Sequence, residues 1–167
     1  MLDFSINYNK NQIVNVDENY FHHKSNAYKR RFEGNDGKNI LALHMIQRVL
    51  KSGIYVDYLL VDSWYAKPNF INEVKENGLD VITRIANNPK IWQFTGKFKT
   101  LETLYNYAKQ NKASRLGNYN SIKYNYVSTT TTHKTLGRIK IVFIKTKDNL
   151  IPIISTNTNL SDIEIIN

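Results

Sequence analysis

Tyr58-Leu59-Leu60-Val61-Asp62-Ser63-Trp64-Tyr65 is the stretch whose reading decides the fold. A short run of mostly apolar residues reads as a strand covered on both faces. A carboxylate at its carboxyl end is costly to desolvate, so Asp62 is expected at a rim where something pairs with it. In open α/β sheets that rim is where ligands bind.

The segments around this strand support a partly parallel sheet. Upstream, Ile40, Leu43, Ile46 and either Val49 or Leu50 recur at helical spacing over 39–52, and Gly53 fits a stop. Downstream, Pro68 opens a short helix with Phe70, Ile71 and Val74 on its apolar side, and Gly78 ends it. Residues 79–85 then read as a second strand. Strand, helix, strand in this order is the grammar of a βαβ unit.

The outer parts read differently. Leu2, Phe4, Ile6 and Tyr8 alternate with Asp3, Ser5 and Asn7, as in a half-buried strand. Residues 9–38 read as polar and irregular. Residues 91–99 suggest a hairpin around Thr95-Gly96, 101–110 a helix, and 121–127, 138–146 and 150–156 strands, with a turn at Asp148-Asn149. The run Ser128-Thr129-Thr130-Thr131-Thr132 fits a strand or a loop and is assigned no chemistry. Ser161-Asp162-Ile163-Glu164 matches a capping box at a helix start. A chain that begins in a strand pattern and stops just inside a helix reads as the middle of a larger enzyme.

Composition narrows the function classes. The 167 residues suffice for one domain with a core, and hydrophobic content of 41% with 22% charged residues is that of an ordinary globular protein. No run approaches a membrane span, and no signal peptide is expected. The absence of cysteine excludes disulfides, thiolate metal sites and cysteine nucleophiles, and it fits a cytoplasmic protein. The net charge of +9 points to a polyanionic partner. Richness in Asn, Lys, Ile and Tyr offers a blander source for part of the lysine excess.

Each candidate residue has two readings. Asp62 is either a divalent-metal ligand, suited to Mg²⁺ or Mn²⁺ through its hard oxygens, or a helix cap or salt-bridge partner. Trp64 and Tyr65 either stack on bases or pack under the sheet, with packing the default. Lys29, Arg30 and Arg31, with Tyr28 and Lys24, form a basic cluster that either grips phosphates or is solvated. Arg84 shares an edge with Asp62 if their strands are parallel; it faces phosphate or pairs with that acid. His22-His23 lacks the spacing of a zinc helix.

At these residues the chain resembles the bacterial insertion-sequence transposases of the DDE class. Leu59-Leu60-Val61-Asp62-Ser63-Trp64-Tyr65 is similar to the family's second-aspartate motif. Leu2-Asp3-Phe4-Ser5, Asn26-Ala27-Tyr28-Lys29-Arg30-Arg31, Val81-Ile82-Thr83-Arg84, Gly96-Lys97 through Leu104-Tyr105, Ile153-Ile154-Ser155-Thr156-Asn157-Thr158 and Leu160-Ser161 resemble other segments in the family's order. The resemblance implies an α/β fold: a partial ribonuclease H-like core (mixed sheet flanked by helices) over 1–90, a β-rich insertion over 91–158, and the start of a truncated core helix over 159–167.

It implies that Asp62 is the second acid of an Asp-Asp-Glu metal triad. Asp3 and Glu164 do not match the other two positions, so the expectation is a fragment inactive by itself. The parent enzyme would use Mg²⁺, or Mn²⁺, to cut and join DNA. Lys29, Arg30, Arg31, Trp64 and Arg84 are the expected DNA contacts. The expected partners are DNA at the element ends and target, and a second copy or a full-length transposase, at the nucleoid. The alternative is a non-catalytic DNA-binding or regulatory fragment.

Overall fold

The computed structural model describes residues 22–86, 92–98, 100–119 and 122–167. The chain divides into two compact units, one through Tyr55 and one from Val56. The strand expected over residues 2–8 lies outside the described residues.

Among the described residues the first unit holds two helices, α1 (Asn26–Glu33) and α2 (Lys38–Lys51). Helix α1 corrects the reading of 9–38 as irregular. It has no buried residue, so it carries no apolar stripe for periodicity to detect. Local signals make it instead: the Ser25 side chain accepts from the Tyr28 N–H at 3.2 Å, and Arg30 and Arg31 face the negative end of the helix dipole. Arg48 of α2 donates to both carboxylate oxygens of Glu33 at 3.0 Å, tying the helices together. Helix α2 matches its expected span, but Leu41 and Leu43 are its buried residues, while Ile40 is half exposed.

The second unit is a mixed α/β structure around one six-stranded sheet. Its strands are β1 (Tyr58–Val61), β2 (Asp80–Arg84), β3 (Arg115–Tyr119), β4 (Ile122–His133), β5 (Gly137–Lys145) and β6 (Leu150–Ser155). They lie in the order β1-β2-β6-β5-β4-β3. Strands β1 and β2 are parallel, joined by α3 (Pro68–Glu76), and every other pairing is antiparallel. Pro68 occupies the first turn of α3, and Gly78, at φ 84°, releases the chain into β2.

Helices α4 (Leu101–Asn111) and α5 (Asp162–Ile166) cover opposite faces. Tyr105 of α4 meets Phe143 with ring centroids 5.6 Å apart, whereas Ile165 of α5 packs in a cluster with Val142, Ile82 and Tyr126. Neighbouring residues of a strand point to opposite faces, so Phe143 and Val142 separate the two layers. On the α4 side Ile139, Ile141, Phe143, Ile154 and Val81 are fully enclosed.

Three further expectations need correction. The apolar run of β1 is not covered on both faces: Leu60 is 67% exposed, on the outermost strand of the sheet among the described residues. Strand β4 runs on to His133 and absorbs the threonine run, since each of those residues pairs with β5. Around Thr95-Gly96 there is a turn, but Phe94 forms an isolated antiparallel bridge with His133 instead of a local hairpin. Strand β3 is an element that the reading of the sequence did not include.

Candidate active site and basic cleft

Asp62 is the first residue beyond β1, and the parallel register of β1 with β2 sets Arg84 at the same end of the sheet. Both are exposed, and no ion pair joins them among the described residues. One Asp62 oxygen, Oδ1, accepts from the Ser63 backbone N–H at 2.6 Å and from the Ser63 hydroxyl at 3.2 Å. It thereby caps a single 3₁₀ turn, Ser63–Tyr65. That turn splits the two aromatics. Tyr65 turns inward against Phe70 at 5.6 Å, and Trp64 turns out, 60% exposed. Core packing, the default for both, holds for Tyr65 alone.

This edge therefore carries an exposed carboxylate with one oxygen oriented, an arginine and an exposed indole. Lys29, Arg30 and Arg31 lie on α1 in the first unit, where Arg30 contacts Glu33 at 3.5 Å. Among the described residues no three His, Cys, Asp or Glu side chains converge on a point where a metal ion could sit. Asp62 suits a hard cation as a ligand, but the described residues do not complete a donor set around it.

A second cluster was not visible in the sequence. Asp162, the first residue of α5, is almost buried at the floor of a cleft of about 500 Å³ lined also by Lys112, Arg115, Ser128, Lys140 and Tyr126. Lys140 reaches Asp162 at 2.8 Å and the Leu160 carbonyl at 2.5 Å. The Ser128 hydroxyl donates to the other carboxylate oxygen at 2.9 Å, with Arg115 at 3.9 Å. Burial pushes the Asp162 carboxyl up. The Lys140 and Ser128 hydrogen bonds and the charges of Lys140 and Arg115 outweigh it, leaving the group below the ordinary carboxylate range. Apart from Lys112, which follows α4, these residues come from β3, β4, β5 and α5, and strand pairing assembles them. The capping box that the sequence did show is complete: Glu164 accepts from the Ser161 N–H at 2.7 Å, and hydrogen bonds with Ser161 hold its carboxyl below the usual range.

Comparison with known proteins identifies the family. The DDE superfamily endonuclease family matches residues 17–131, more than half of the chain, including β1 and Asp62. Comparison with curated proteins and with solved structures yields no match. The mixed sheet flanked by helices agrees with the ribonuclease H-like fold of DDE enzymes, whose nucleases act on DNA and generally use divalent metals. No described helix is long and apolar enough to cross a membrane. By its family match and its fold, the chain belongs to the DDE superfamily endonucleases.

Proposed function

We propose that the chain is part of the catalytic domain of a DDE transposase from a bacterial insertion sequence, and that Asp62 is the acid it contributes to the metal site. In this reading 1–90 form a partial ribonuclease H-like core, 91–158 a β-rich insertion and 159–167 the start of a core helix. The observation that carries the proposal is the place of Asp62: an exposed carboxylate at the carboxyl end of a parallel strand, inside the family match. Ligands of open α/β sheets gather at that edge. Ser63 orients one carboxylate oxygen, which leaves the other to face a cation.

Mg²⁺, or Mn²⁺, would supply charge stabilisation at the phosphodiester being cut. The residues themselves have narrower tasks. Asp62 would hold the ion, Arg84 would meet a phosphate at the same edge, and exposed Trp64 would stack on a base. Lys29, Arg30 and Arg31 would contact the DNA backbone. Because Asp3 and Glu164 do not match the family's other two acids, the chain is expected not to cleave DNA by itself. The partner would be a second copy or a full-length transposase at the nucleoid, and the full-length enzyme would bring the triad's other two carboxylates.

Asp62→Asn tests this. The variant should fold like the wild type and lose Mn²⁺ binding measured by electron paramagnetic resonance, at least tenfold in affinity. A variant that unfolds, or one that binds Mn²⁺ equally well, would make Asp62 a structural cap. The second reading is a non-catalytic DNA-binding or regulatory fragment, which the net charge of +9 favours. It predicts salt-dependent DNA binding without any metal dependence.

A further inference from the structure

The threonine run of β4 acquires a role once its register is known. Along β4, Ser128, Thr130 and Thr132 share one face and Thr129 and Thr131 the other. Ser128 bonds Asp162, so its face is the one that carries α5 and the cleft. Directly opposite on β5, Thr130 pairs with Lys140 and Thr132 with Arg138. Thr130, Thr132 and Arg138 are exposed. The face therefore shows alternating hydroxyls and cations running out of the cleft, where Lys112 and Arg115 add two more.

The cleft has a built floor. Asp162 is the one carboxylate lining it among the described residues, and its oxygens are taken by Lys140, Ser128 and Arg115. Lys140 has three N–H donors and spends two, on Asp162 and the Leu160 carbonyl. The third remains for a ligand. Arg115 is 68% exposed and touches Asp162 only at 3.9 Å, so most of its fork remains available. Three cations against one acid leave the cleft positive, and Tyr126 and Val127 supply an apolar wall. Lys, Arg, Ser and Thr side chains are the groups that hold nucleic-acid phosphates and sugars without reading sequence.

We infer that Lys112, Arg115, Arg138 and Lys140, with Thr130 and Thr132, form a track for the phosphate backbone of a nucleic-acid strand, separate from the Asp62 edge. The strip is elongated and open, which suits a polyanion that continues beyond the cleft. The choice of DNA as that polyanion rests on the family's action on DNA; the track itself does not depend on Asp62 being a metal ligand.

The test compares two triple variants of the full chain. Lys112→Ala/Arg115→Ala/Arg138→Ala removes three exposed cations of the track. Lys109→Ala/Lys134→Ala/Lys147→Ala removes the same charge from exposed positions elsewhere. Affinity for a mixed-sequence DNA duplex is measured from 50 to 200 mM salt, with circular dichroism to check folding. Each lost phosphate contact lowers the slope of log K against log salt by about 0.9. The track variant should lose about 2–3 units of slope and at least tenfold in affinity, and the control much less. Equal losses in both, or no loss in the track variant, would overturn the inference. So would displacement of DNA by micromolar inorganic phosphate at constant ionic strength, which would mark a small-anion pocket. The track is read from the salt slope and the metal reading from Mn²⁺ binding, so failure of one and failure of the other are distinguished.

Discussion

Asp162 is the residue whose environment departs most from what its neighbours in sequence suggest. It reads as the first helical position of a capped helix, where an acid is favoured by the dipole. In the fold it is also the acceptor for Lys140 and Ser128. Its carboxyl ionises more easily folded than unfolded, so its contribution is complete above the ordinary value of 3.8 and is lost as pH falls through the lowered folded value. Asp162→Asn should cost about 1–2 kcal/mol at pH 6, a charged hydrogen bond discounted for the open cleft. Urea unfolding should show the gap between variant and wild type closing as pH falls below 3.8. A gap independent of pH would mean the carboxylate charge contributes nothing. Asp62 shows what one sequence can and cannot disclose. Its position at a strand end was legible from Leu59, Leu60 and Val61. Its hydrogen bonds with Ser63 and the outward turn of Trp64 were not, because both depend on a single turn of 3₁₀ helix.

At the scale of elements, the helices and strands with apolar periodicity were readable and those without it were not. Helix α3 announced itself through Pro68, Phe70, Ile71, Val74 and Gly78. Helix α1 is held by a serine cap and an Arg48–Glu33 contact made across the turn, neither of which has a period. Strand β3 was missed because Arg115, Leu116, Gly117 and Asn118 carry no buried face. Gly117 lies opposite Tyr124 in register, and a side chain there would collide with the tyrosine ring. The join between β4 and β5 depends on His133, which is fully buried. Its Nδ1 accepts the Thr135 and Leu136 N–H groups at 3.2 and 3.1 Å, and its ring sits edge-on to Trp92 and Phe94. His133→Phe keeps the aromatic packing but leaves those amides without an acceptor. It should destabilise the chain by about 2–3 kcal/mol in urea unfolding. A change below about 0.5 kcal/mol would show that the ring's packing, not its nitrogen, fastens the turn.

For the molecule as a whole, charge was legible and distribution was not. The +9 net charge pointed to a polyanion, yet composition cannot say that cations gather on one face of β4 and β5. The same limit applies to the sheet's margins. Among the described residues β1 ends the sheet, and Leu60 is exposed on one of its faces, an apolar surface of the kind that associates with other chains. Leu60→Lys should therefore lower self-association: sedimentation velocity at rising concentration should show less of the heavier species than for wild type. Identical profiles would mean that the edge takes no part in assembly.

The place of β6 in the sheet has a consequence for how the chain folds during synthesis. Strand β2 has β1 on one side and β6 on the other, and Ile82 finds its partner Ser155 only after the α4 and β3–β5 segments have been made. Until then β1, α3 and β2 can form a local unit, but one row of β2 backbone groups stays open while the β3–β4–β5 meander emerges. Closure of so distant a pairing is entropically slow and exposes the nascent chain to misassembly. Of these six strands the one made after the other five is thus the one that joins the parallel pair to the meander, and a ribosome paused before Leu150 would hold both flanks begun and no middle.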